Sequence, residues 1–209
     1  MIVQAILIAI SVAAAVSYSL RYRLMLPGRK RTLIKVTAAG ALALASIDDA
    51  PITLVFFFMT AGISDAYLSR EDDQGFYLAI VTGVLAQVFL CLTLFSTWTG
   101  MEAPLIAVLG LSGIWIGFFM MIWDRLARTR FMIIGYSMGV VAVTYMALGT
   151  TTHGQLAVVG MFFYLLAQVL MSLEFFVLKS GSLEFRVGAH IIWASYYLSL
   201  LMFFVAFTT

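Results

Sequence analysis

Eight apolar runs, joined by short polar turns, divide this chain so that all twelve of its Lys and Arg residues gather at alternate turns or beside them. The runs cover about 1 to 20, 33 to 47, 51 to 69, 76 to 98, 103 to 123, 130 to 149, 155 to 178 and 185 to 208. Arg21, Arg23, Arg29, Lys30, Arg31 and Lys35 follow the first run, and Arg70 follows the third. Arg125, Arg128 and Arg130 lie between the fifth and sixth, and Lys179 and Arg186 between the seventh and eighth. Threaded up and down through a bilayer, the chain carries every basic residue on one face. The opposite face is polar through Asp48, Asp49 and Glu102 and carries no basic residue. Lys and Arg concentrate in cytoplasmic loops, so both termini are expected outside the cytoplasm.

Composition requires the same class. Hydrophobic residues make up 63% of the 209 and charged residues 11%, too little polar surface to clothe a soluble globule. Most runs approach the roughly 20 residues a helix needs to cross the hydrocarbon. The second run has 15 residues and reaches only about 22 Å as a helix. Without it, however, the cluster at 21 to 35 would fall opposite all the other basic residues. Lys35 is expected to snorkel from its cytoplasmic end. The first run has no basic residue before it and no cleavage site after it, as in an uncleaved anchor. The expected fold is therefore all-α: one polytopic membrane bundle spanning residues 1 to 209, with eight transmembrane helices, suited to a bacterial inner membrane.

Cys91 stands alone within a span, where a thiol acts as a small apolar residue. His153, in the expected external loop GTTTHGQ, and His190, in the last span, have no cysteines near them to complete a zinc site. No metal and no cofactor is expected. No Gly-rich phosphate loop or serine elbow occurs, and nucleic acid is not an expected partner. GIWIG (Gly113 to Gly117) and GYSMG (Gly135 to Gly139) are small-residue motifs that let membrane helices approach, and are expected to bring the fifth and sixth spans together.

Polar residues within the spans carry the functional signal, because each is costly in hydrocarbon and usually meets a partner or a cavity. Asp65, in AGISDAYL beside Ser64, lies about one turn from the basic end of its span and has no basic residue within that span. It is expected as an uncharged acid able to donate a proton, or as the partner of Lys35 or Arg70. Gln87 and Gln168 lie near mid-span. Tyr164 shares a helix face with Gln168, and His190 shares one with Tyr197, at spacings of four and seven. Glu174 is expected to pair with Lys179 or Arg186, and Asp124 with Arg125 or Arg128.

The segments KRTLIKVTAAG, FFFMTAGISDAYL, FYLAIVTGVLAQVFLC, GMFFYLLAQVLMSLEFF and WASYYLSLLMF together resemble the YhhN-like lysoplasmalogenase family of eight-helix membrane proteins. The resemblance spans nearly the whole chain on scattered positions. It implies hydrolysis of the vinyl ether bond of a lysoplasmalogen to a fatty aldehyde and a glycerophospho-headgroup, with a lysophospholipid or other membrane lipid as the partner. Lys35 and Asp65 match the family's Lys and the Asp of its Gly-Asp pair, with Ser64 in place of the Gly. Gln87 stands where His is common, Gln168 where a second Asp or an Asn is usual, and Leu200 where Gln or His is frequent. The resemblance thus implies Asp65, Gln168 and Gln87 as catalytic positions, with Asp65 the acid and the glutamines able to orient water. Lys35, Ser64, Tyr164, His190 and Tyr197 are the expected substrate-binding residues. The departures leave a second expectation, a catalytically inactive relative that binds or transfers lipids.

Overall fold

A computed structural model describes residues 2–100, 105–126, 129–150, 155–179 and 181–208. The eight apolar runs form eight helices: α1 (Ile2–Ser17), α2 (Arg29–Ala45), α3 (Ile52–Leu68), α4 (Asp73–Phe95), α5 (Leu105–Ile122), α6 (Arg130–Leu148), α7 (Leu156–Phe176) and α8 (Leu183–Thr208). Among the described residues there is no strand, only an isolated antiparallel bridge between Trp98 and Thr150. Five segments are long and apolar enough to cross a membrane: α1 with the turn that follows it, α4, α6, α7 and α8. The shorter α3 is also apolar. Glu102 and His153 lie outside the described residues.

Local chemistry sets the helix ends. Asp72 caps α4 by accepting a hydrogen bond from the Gly75 backbone N–H, one of the donors that a helix start leaves free. Pro51 precedes α3, where its missing N–H costs nothing. Between α3 and α4, Glu71 takes φ 60°, uncommon for a residue with a Cβ, and pairs with Arg31 at 2.6 Å. The last turn of α1 widens into a π-helix over Tyr18–Tyr22, which turns Tyr18 into the core at 1% exposure. Helix α2 begins before the expected span and takes in Arg29, Lys30 and Arg31.

Neighbouring helices pack in chain order from α1 to α4, α7 packs on α8, and α6 lies against both α4 and α7. The start of α1 meets the end of α2 where Gln4 donates to Ala45 and Asp49. The ends of α4 and α6 meet where the Thr99 backbone N–H donates to Gly149 O and Thr97 pairs with Thr150. Aromatic residues fill the centre, with Phe57 edge-on to Phe203 and Phe58 against Phe204. Large apolar side chains also cover the outside, among them Ile2, Leu20, Leu26 and Phe131, a surface that suits lipid and not water.

The small-residue expectation fails for the pair of helices it named. Gly113, Gly117 and Gly135 have no atom within 4 Å of where a Cβ would stand. Gly139 instead takes the Gln87 side chain of α4 so closely that a Cβ would collide with its Oε1. The close approach at GYSMG therefore joins α6 to α4, and α5 stands at the edge with Ile114, Ile116, Met120 and Met121 exposed.

Candidate active site

A cavity of about 690 Å³ opens among the basic-end segments of α1, α2, α3, α4, α6, α7 and α8. On α4 its wall runs from Asp73 to Ala86, about 20 Å of helix. Its outer part holds Arg23, Arg31, Glu71, Asp72, Asp73 and Glu174. Farther in, the walls turn apolar and aromatic through Phe57, Ala61, Ala86, Tyr164 and Ala167. The expected set of Lys35, Ser64, Asp65, Tyr164 and Gln168 all reach this wall.

Its focus is an ion pair. Lys35 Nζ lies 2.7 Å from Asp65 Oδ1, with both side chains less than a tenth exposed. Lys35 does not snorkel as the sequence suggests: α2 directs it inward, where the carboxylate of α3 offers a stronger interaction than a distant interface. Its ammonium lies 5.6 Å from the Trp193 ring centroid and 5.8 Å from that of Tyr18, within cation–π range. Asp65 Oδ2 is buried and makes no hydrogen bond among the described residues, although Tyr196 stands beside the carboxyl group. Of the two partners expected for Asp65, Lys35 is the one it meets.

The cage is held from behind. Trp193 Nε1 donates to Ala15 O at 2.9 Å, and its ring lies 4.4 Å from that of Tyr18. Ser11 Oγ donates to Ala38 O and meets Tyr197 Oη at 2.8 Å, so the tyrosine is the donor there. Tyr197 thus ties α8 to α1 and α2, away from the cavity wall. His190 is half-buried and also lies off that wall.

On the facing side, Tyr136 donates to Gln168 Oε1 at 3.0 Å, and Gln87 Nε2 donates to Tyr164 Oη at 3.3 Å. Gln168 and Tyr164 therefore share the cavity face, as their spacing implies. Gln87 sits behind Tyr164, only 1% exposed. Ser64 Oγ donates to Ala79 O at 2.8 Å and joins α3 to α4. Leu200 is fully buried in the apolar core.

Glu174 finds a partner other than the two expected. Arg23 Nη2 lies 2.7 Å from each of its carboxylate oxygens, and Arg23 Nε donates to Ala189 O. This bond joins the turn after α1 to α7 and α8 at the mouth of the cavity. Asp124 makes no ion pair among the described residues, and Arg125 donates to Phe176 O instead; Arg128 lies outside the described residues.

Sequence reading passed over Tyr18, Tyr136, Trp193 and Tyr196. Ser11, Ala15 and Tyr18 share one helix face, and Trp193 with Tyr196 and Tyr197 forms a similar stripe, so spacing carried part of the signal. Comparison with family models, with curated proteins and with solved structures finds no match.

Proposed function

We propose that this protein is an eight-span membrane hydrolase that cleaves the vinyl ether bond of lysoplasmalogens, with both termini opposite its basic face and an inner membrane as its location. The observation that carries the reading is the Lys35–Asp65 pair, buried at 2.7 Å on the wall of a cavity of about 690 Å³. The charged outer part suits a glycerophospho-headgroup, and the apolar inner part suits a hydrocarbon chain. The same two residues are among the positions that carry the resemblance to the YhhN-like lysoplasmalogenases.

The chemistry fits a shared proton. The pair delivers it through Asp65 to the alkene carbon remote from the ether oxygen, and the double-bond electrons form the new C–H bond. The positive charge that appears on the oxygen-bearing carbon is stabilised by the carboxylate. Water oriented by Gln168 adds to that carbon and returns a proton to the pair. The hemiacetal then breaks its C–O bond, the headgroup oxygen takes up the hydroxyl proton, and the aldehyde leaves.

The second reading, a lipid-binding relative without catalysis, draws on the mutual neutralisation of Lys35 and Asp65 and on two glutamines that cannot accept a proton from water. Purified protein supplied with lysoplasmalogen and, separately, with its saturated alkyl ether analogue separates the two. The hydrolase releases aldehyde from the vinyl ether alone. Retention of both lipids without any aldehyde favours the binding reading.

A further inference from the structure

A second hollow lies between α5 and α6, of about 720 Å³, and takes no part in the site above. Trp115, Ile116 and Phe119 of α5 face Ile134, Met138 and Val141 of α6 across it. The hydroxyls of Ser112, Ser137 and Tyr145 and the indole N–H groups of Trp115 and Trp123 are the polar groups in an otherwise apolar lining that ends at Trp123. From Ile134 to Met146, the α6 wall runs about 18 Å, close to the ~15 Å depth of one leaflet of hydrocarbon. The hollow is thus open along its length, dry in character and one acyl chain deep.

Its end at the basic side is charged. The Arg130 guanidinium sits 4.9 Å from the Trp123 ring centroid, and its Nε is buried without a hydrogen-bond partner among the described residues. Arg125 is exposed nearby and uses one nitrogen on Phe176 O. The two arginines outnumber the exposed Asp124. An apolar slot of leaflet depth, closed by an interfacial Trp and crowned by arginines, matches a lipid with an anionic headgroup in the basic-side leaflet.

On the eight-span reading, we infer that the α5–α6 hollow binds an anionic phospholipid, with one acyl chain between the helices and its phosphate at Arg125 and Arg130. A second copy of the chain is a poorer occupant, because a twofold contact repeats the same patch and brings like arginines to the same depth. The lipid also completes the seam between α5 and α6, where the glycines make no close contact.

The test reconstitutes the protein with equal phosphatidylglycerol and phosphatidylcholine, extracts it in mild detergent and counts retained lipid per chain. Wild type retains phosphatidylglycerol selectively, and so does Ala167→Trp, which fills the central cavity and so places the lipid outside it. The double variant Arg125→Gln with Arg130→Gln loses roughly tenfold of that retention. Ala142→Trp and, on the facing helix, Ser112→Phe fill the hollow and displace the lipid at an unchanged unfolding temperature. Equal retention of both lipids, unchanged retention in the variants with the α5–α6 hollow filled, loss only in Ala167→Trp, or a lipid-free dimer that Ala142→Trp dissociates would each overturn the inference. Aldehyde release plays no part in these readouts, so the hydrolase reading can fail while this one stands.

Discussion

Lys35 shows how one residue can be plain in a sequence while its role depends on the fold. A lysine early in an apolar run is visible as an anomaly, and its long stem permits either escape to the interface or an inward turn. Asp65 decides between them, because two opposite charges in contact cost far less within a bundle than either does alone. Trp193 and Tyr18 then cover the ammonium. Removing one partner leaves the other buried and uncompensated, so Lys35→Met should destabilise the protein by about 3–5 kcal/mol. Lys35→Met combined with Asp65→Leu should recover much of that loss. Unfolding temperature in detergent distinguishes this coupling from additive losses, which would mean that the pair contributes little to the fold.

At the scale of the helices, much was legible, because apolar runs and polar turns mark helix positions directly. Seven of the eight expected spans begin within three residues of an observed helix start; α2 alone begins four residues early, since Arg29 to Arg31 extend the helix beyond its apolar part. Which helices touch was less legible. GIWIG and GYSMG look alike in sequence, yet Gly139 is filled by Gln87 and Gly117 faces open space; only the third dimension separates them. Glu174 found Arg23 for the same reason, since a residue 151 positions away reaches its carboxylate and neither Lys179 nor Arg186 forms an ion pair with it among the described residues. The contrast is testable. Gly139→Ala should cost about 1–3 kcal/mol through overpacking, whereas Gly117→Ala should change stability by less than about 0.5 kcal/mol. Thermal unfolding of the two variants side by side checks this, and equal losses would refute the assignment of contacts.

Across the whole molecule there is one asymmetry: the described basic residues, the charged mouth of the cavity and the Lys35–Asp65 pair all lie toward the same ends of the helices. A lipid of the leaflet on that side can present its headgroup to Arg23, Arg31 and the acids while its chain enters the aromatic interior. The orientation itself is open to measurement: cysteines introduced at Asp49 and at Lys30 should react with a membrane-impermeant thiol reagent from outside and inside the cell respectively, and the reverse would invert the topology. Because hydrophobicity drives little association between helices already in lipid, the hydrogen bonds of Trp193, Tyr197 and Arg23 carry much of the precision that holds the site. That precision was the least legible part, since aromatic residues are common throughout these helices and only their packing singles out four of them. The most direct measurement is aldehyde release from lysoplasmalogen by wild-type protein and by Asp65→Asn, with retained lipid counted in both. Release by the wild type, a loss of at least roughly a hundredfold in the variant and lipid retained by both are expected; undiminished release by Asp65→Asn, or none from the wild type, would overturn the hydrolase reading.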